Sequence, residues 1–219
     1  YRSGTDWEKT KCFTNYYIAA SQAVKNNLLE KHNIPDTHVK VVYEFVNAIK
    51  ASSVITSSLE IEDQIRKELQ IPHNAFIVGG SGTTDWRKAP DVFVSLAKYV
   101  HKVPLDQPVH FVWVGGASSG NIRHFELQYD IDKLGISPYV HFVGSVSNPL
   151  EYFTLFDVFT LTSREDPYPL VCLEAASLGK PILCFDEAGG ESEFVEDDCG
   201  FVVPYLDICL LYTSDAADE

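Results

Sequence analysis

The sequence predicts an α/β fold built on a parallel, doubly wound sheet, and three observations carry that reading. Short apolar runs alternate with helical patterns along the chain, strand then helix then strand, as helices layered on a sheet require. One apolar run, from Phe76, passes into glycines before a helix that opens at Pro90, the unit by which α/β proteins hold phosphates. The stretch Ser163 to Gly179 stands between two further apolar runs, Val158 to Leu161 and Ile182 to Phe185, with a proline at its helix start and a glycine at its stop.

Taken in order, Tyr1 to Asn15 is polar and defines no element. Tyr16 to Ala20 reads as a short strand, and Ser21 as the N-cap of a helix through Ala23, Val24, Leu28 and Leu29. A turn at Ile34-Pro35-Asp36 leads to a second strand, Val39 to Val46. Residues 47–58 carry several serines and no hydrophobic periodicity, and read as a linker. Leu59 to Leu69 is helical, because Ile61, Ile65 and Leu69 recur on one face. The strand from Phe76 and the helix from Pro90 through Phe93, Leu96, Ala97 and Val100 come next. Val109 to Val114 is a strand ending in Gly115-Gly116, and Ile122 to Leu134 a helix. Val140 to Val146 is a strand ending in a glycine turn, on which His141 alternates outward and reads as solvated or capping. Tyr152 to Asp157 is expected as a short helix. The final helix begins near Pro169, which suits a first helical position, and Gly179 with Pro181 stops it.

The start of that final helix is where chemistry is expected. The N–H groups of Leu170 and Val171 fall in its first turn, where they lack intrahelical partners and the helix dipole favours an anion, so they form a phosphate seat. Helical side chains lean toward the N-terminus, so Glu174 can present its carboxylate to a ligand over that end. Asp166 lies in the loop before the helix. Ionised carboxylates only accept hydrogen bonds, and two of them around an anion seat suit a ligand with both phosphates and hydroxyls. The plainer reading is a pair of favourable charges at a helix N-terminus.

The run Ser-Arg-Glu-Asp-Pro-Tyr-Pro-Leu-Val-Cys-Leu-Glu-Ala from Ser163 resembles the acid-x7-Glu signature of retaining glycosyltransferases of the GT-B fold, in particular glycosyltransferase family 4. Asp166 stands where most members carry Glu, with Glu165 one residue off register. The resemblance implies that Asp166 contacts the donor sugar and Glu174 the ribose of the nucleotide. It places Gly80 and Gly82 in the first glycine loop of the donor domain, and Lys88 where members carry a lysine that holds the diphosphate. Members often have an Arg five residues before that lysine; Thr83 stands there, so Arg87 or the backbone must compensate. Backbone groups around Val143, Gly144 and Val146 would line the nucleobase. Asp186 to Glu193 resembles the family's Gly-Gly-x-x-Glu loop and helix start, with Glu193 a first-turn acid on that helix's dipole. A Walker P-loop is excluded, since no Gly-Lys-Ser/Thr follows the glycines, and a dinucleotide fingerprint fails at its third position, Asp85.

Composition bounds the partners. The 219 residues suffice for one domain and part of another. A net charge of −14 argues against nucleic acid, whose backbone attracts basic surfaces. No apolar run approaches the roughly 20 residues needed to span a bilayer, and no signal peptide is visible. The five cysteines show no metal-ligand spacing and read as reduced, structural residues of a cytoplasmic protein. Asp197-Asp198 reads as a solvated turn. Cys209 to Glu219 resembles the translation of a transposase adapter used in sequencing libraries, so residues 208–219 are expected to be a non-native tail.

The expected organisation is a GT-B fragment. Residues 1–46 end an N-terminal, acceptor-side domain, 47–58 are the linker, and 59–207 are a truncated donor-binding domain. The resemblance implies transfer of a sugar from a nucleoside-diphosphate sugar to a glycan, lipid or small-molecule acceptor, with retention and without metal or other cofactor. A missing N-terminal part leaves room for peripheral membrane contact, and the fragment alone would be inactive. A nucleotide-sugar binding domain without transferase activity, and a GT-B-like enzyme such as a nucleotide-sugar epimerase, are the alternatives.

Overall fold

The computed structural model describes residues 11–47, 54, 58–116, 122–195 and 199–213. Near the N-terminus, strand β1 (Tyr17–Ala19), helix α1 (Gln22–His32) and strand β2 (Val39–Val41) make a parallel βαβ unit with its own small core of Ala19, Ile34 and Val39. Ser21 caps α1, its hydroxyl accepting the Val24 N–H at 3.2 Å. The second strand is shorter than its apolar run, because β1 offers only three residues to pair with; the Val42 N–H closes on the Ala19 carbonyl and the ladder ends.

The rest is a six-stranded sheet. Its elements are α2 (Ser58–Leu69), β3 (Phe76–Ser81), α3 (Pro90–Val100), β4 (Val109–Val114), α4 (Ile122–Leu134), β5 (Val140–Gly144), α5 (Pro149–Phe153), β6 (Val158–Leu161), α6 (Leu170–Ser177), β7 (Ile182–Phe185), β8 (Gly200–Val203) and α7 (Ile208–Thr213). The strand order is β5-β4-β3-β6-β7-β8, and every pairing is parallel. A parallel sheet must be covered on both faces, and the two-residue period of the strands divides the core accordingly. Val78, Phe111 and Trp113 point into one cluster with Phe93, Leu96, Leu127 and Ile131 of α3 and α4. Ile77, Val112, Val114 and Phe159 point into the other, with Ile65 of α2, Phe153 of α5 and Cys172 and Ala175 of α6.

Several expectations are corrected. The short helix before β6 is Pro149–Phe153 rather than 152–157, since Pro149 opens it and Asp157 leaves the helix to accept the Ile77 N–H at 2.7 Å. Pro169 is the N-cap of α6 rather than its first residue. His141 is only partly exposed and does not cap; its Nε2 lies 3.0 Å from Nδ1 of His110 on the neighbouring strand, with the rings stacked. Gly80 is not in a loop but inside β3, where a Cβ would come within 2.8 Å of the Trp113 ring. Helix α7 covers residues 208–213, with Leu211 buried in the first cluster. Asp197, Asp198 and most of the linker lie outside the described residues.

Candidate functional site

The strands β3 and β6 lie side by side, with β4 and β5 continuing on one side and β7 and β8 on the other. Their carboxyl ends flank the point where the strand order reverses, the crevice in which open α/β sheets take ligands. Two loops leave that point, 82–89 after β3 and 162–169 after β6. They are bonded to each other: the Arg164 N–H donates to the Arg87 carbonyl at 2.8 Å, and the Thr162 hydroxyl to the Ala89 carbonyl at 3.1 Å.

The first loop is shaped to present Lys88. Gly82 has its carbonyl held by the Trp113 indole N–H at 3.1 Å, and a Cβ there would press on Lys88 Cγ, also at 3.1 Å. The Lys88 N–H donates to Asp85 Oδ1 at 3.0 Å, while Thr83 donates to Asp85 Oδ2 at 2.7 Å. Burial opposes ionisation of Asp85, but those bonds outweigh it and hold its carboxyl below the ordinary range. Ala89, next in the chain, takes the left-handed conformation with φ 52°, a strained position that the Thr162 bond helps to fix.

Lys88 Nζ forms an ion pair with Asp166 Oδ2, both side chains being largely shielded from water. The Asp166 backbone is fixed by the β7 side: its N–H donates to Ala188 O at 2.8 Å, and its carbonyl accepts from Gly190 N–H at 3.0 Å. Ser163 Oγ stands 3.4 Å from the same carboxylate oxygen that meets Lys88. Glu165, the alternative first acid, is only half-buried, and its carbonyl receives Arg87 Nη1 at 3.3 Å. Arg164 points away, forked on Asp91 at 2.9 and 2.6 Å and lying over the Trp86 ring.

Helix α6 begins at Leu170, so the N–H groups of Leu170 and Val171 are in its first turn, with Leu170 exposed and Val171 packed against the second core cluster. Glu174 is half-buried one turn in. Val143 and Gly144 end β5, two strands from β3; Gly144 has φ 73° and its carbonyl accepts from Gly115 N–H at 2.8 Å. Thus Lys88, Gly82, Arg87 and Asp166 come together, with α6 following directly and β5 further out. A cavity of about 550 Å³ is lined by Thr84, Asp85 and Trp86 of the Lys88 loop and by Arg123, Phe125 and Tyr129 of α4, and Lys88 and Asp166 are not among its lining residues. Among the described residues no three His, Cys, Asp or Glu side chains cluster as metal ligands.

Two acids have surroundings that the sequence does not show: Glu193, expected as a first-turn acid of its own helix, and Glu191, to which the sequence assigns no role. Glu193 does not sit on the dipole of its own segment. Its carboxylate accepts the N–H groups of Gln22 and Ala23 at the start of α1, both at 2.7 Å, and the Tyr43 hydroxyl at 3.0 Å. Glu191, beside Gly189-Gly190, is wholly buried; its nearness to those glycines was the one signal available. Gly190 is packed between the Pro167 carbonyl and Ser21, either of which a Cβ would meet at 2.5 Å.

A sheet of this order, with its loops converging at the switch point, is the C-terminal domain fold of GT-B glycosyltransferases. Residues 61–207 match the family described as glycosyl transferases group 1, and the chain belongs to that family. It is 30% identical over 155 residues to an alpha-galactosylglucosyldiacylglycerol synthase of Streptococcus pneumoniae, covering 70% of this chain and 39% of that protein. It is 25% identical over 183 residues to a D-inositol 3-phosphate glycosyltransferase of Corynebacterium kroppenstedtii, covering 82% and 40%. The chain therefore spans about two fifths of the length of these relatives. Among solved structures it resembles Anabaena Alr3699/HepE in complex with UDP and glucose, with TM-score 0.80 and 23% identity over 99% of this chain and 58% of that one. It also resembles WaaG, a glycosyltransferase involved in lipopolysaccharide biosynthesis, with TM-score 0.73 and 19% identity over 89% and 51%. No helix among the described residues is long and apolar enough to cross a membrane.

Proposed function

We propose that this chain is the donor-binding part of a cytoplasmic family 4 glycosyltransferase, which moves a sugar from a nucleoside-diphosphate sugar to an acceptor with retention and without a metal. In this reading 1–46 close the acceptor-side domain, 47–58 link, and 59–207 hold the donor. The observation that carries it is the meeting of Lys88 and Asp166 at the switch point, immediately before the N-terminus of α6.

Lys88 and the first-turn N–H groups of Leu170 and Val171 bind the diphosphate and stabilise its charge as it leaves. Asp166 accepts from the hydroxyls of the donor sugar and holds it in place, Glu174 accepts from the ribose, and backbone around Val143 and Gly144 lines the base. Gly82 lets the backbone approach, and Arg87 supplies the second positive charge.

Calorimetric titration of the chain in EDTA with UDP, GDP, ADP and NAD tests this, with UDP first because HepE has been solved with it. One nucleoside diphosphate is expected to bind, and Glu174→Ala to weaken it by about 1.5 to 3 kcal/mol, the worth of a charged hydrogen bond. Preference for NAD, or indifference to Glu174→Ala, would refute the reading.

A further inference from the structure

Glu191 is a carboxylic acid shut inside the protein. It is 0% exposed, and among the described residues neither of its oxygens has a hydrogen-bond partner. A buried polar group in that state needs an explanation. Its position supplies one. A Cβ placed on Gly189 would come within 3.1 Å of Glu191 Oε2 and within 1.6 Å of the Asp166 carbonyl, so the Glu191 carboxyl and the backbone of Asp166 meet at one bare glycine. The loop carrying Glu191 is the one that fixes Asp166, through Ala188 and Gly190.

The groups facing this carboxyl come from every element around it. Asp166 stands in the loop after β6 and Asp186 in the loop after β7, and both disfavour its ionisation. Cys184 on β7 and Cys172 on α6 are buried thiols that sense the same charge, and their titration is pushed up, chiefly by burial. Lys88, which acts on the same Cys172 thiol from the opposite sign, is already paired with Asp166. Burial is the main force on Glu191 and pushes it up to about 8, against a weaker pull from the nearby N–H groups of Glu191 and Ala188, which fall short of hydrogen-bond geometry.

The charge balance follows. With Glu191 neutral, Lys88 and Asp166 cancel and an arriving diphosphate meets no net repulsion. With Glu191 ionised, a second buried negative charge stands beside Asp166 and repels an arriving diphosphate. We propose that Glu191 is a positioning residue of the diphosphate site that works only as the uncharged acid, so that its ionisation weakens binding of a nucleoside diphosphate and switches the site off in alkali. This rests on the donor-site reading above and adds its regulation.

The test uses the whole chain with UDP as probe, titrated calorimetrically from about pH 7 to about pH 9.5, a range above the second ionisation of a phosphate near 6. Wild-type affinity is expected to fall about tenfold or more across that range. Glu191→Gln, which imitates the neutral acid and cannot ionise, is expected to keep the affinity it has at the lower pH within about twofold at the higher one. A carbon-13 carboxyl titration of the wild type should find one Glu ionising near 8 that is missing from the variant. An affinity that does not fall, an equal fall in Glu191→Gln, or no carboxyl titrating above the ordinary range overturns the inference while leaving the donor site standing. Should the variant fail to fold, the carboxyl titration of the wild type decides. No binding of UDP, GDP or ADP at any pH overturns the donor-site reading itself, and this inference with it.

Discussion

Lys88 and Asp166, 78 positions apart in the chain, form an ion pair across the junction of β3 and β6, and both side chains are nearly shut off from water. Neither charge is tolerable there alone, because a buried ion without its partner keeps its desolvation cost. Lys88→Met is therefore expected to lose about 3 kcal/mol of stability, more than an exposed lysine would, as well as binding of diphosphate. The paired change Lys88→Met with Asp166→Leu should recover most of the stability and none of the binding. Urea denaturation and calorimetry separate the two; a single variant as stable as wild type would show the pair to be solvated.

Glu193 ties the N-terminal βαβ unit to the loop after β7. Its carboxylate closes two N–H groups of α1 and the Tyr43 hydroxyl, while Tyr43 leans on Tyr168 with ring centroids 5.4 Å apart. Charge-assisted bonds to a helix N-terminus are worth more than neutral ones. Glu193→Ala should cost about 2 kcal/mol and free the Gln22 and Ala23 amides to hydrogen exchange, leaving the amides of β3 and β4 protected. Uniform exchange across the chain would mean that the contact does not hold the unit locally.

How much of this was legible follows from what kind of information each feature uses. Helix Ile122–Leu134 and strand Val109–Val114 lie where their patterns place them, because Leu127 and Ile131 recur at helical spacing and an unbroken apolar run is what a strand buried on both faces requires. The acid pair around α6 stood out through local motif and helix polarity. Partnerships were invisible. His141 looked outward until His110, 31 positions away, was set beside it by strand pairing, and Glu193 caps a helix 170 positions earlier. Glu191 was passed over because acids are rarely buried, a rule that holds on average and fails beside this site.

The His110–His141 contact predicts an acid-labile fold. Burial pushes His141 down to about 4, with a further push from His110, and burial likewise lowers His110. Both are held neutral in the folded chain, whereas the unfolded chain takes up protons as the pH falls through about 6.5. Their contribution is thus complete above about 6.5 and lost as the pH drops toward about 4. Allowing for the partial exposure of His141, the loss is about 2 kcal/mol. His141→Gln should flatten the stability profile in that window. An unchanged slope in urea midpoints measured against pH would place the acid sensitivity elsewhere.

Two glycines test whether the loop after β7 governs the site. Gly79 lies in β3, where a Cβ would collide with the Phe156 ring at 2.0 Å, so Gly79→Ala should disturb the second core cluster and cost stability, on the order of 1 to 3 kcal/mol. Gly189 lies at the crossing with Asp166, where a Cβ would stand 1.6 Å from the Asp166 carbonyl; backbone cannot rotate aside as a ring can, so Gly189→Ala must push Asp166 and the loop apart. That displacement breaks the Asp166 N–H to Ala188 bond and withdraws the carboxylate from Lys88. Both variants are expected to lose stability, but only Gly189→Ala should lose affinity for the nucleoside diphosphate out of proportion to it, by about tenfold at a temperature where the chain remains folded. Equal effects of the two on binding would mean that Asp166 owes its position to β6 alone, and the loop after β7 would then have no part in holding the site.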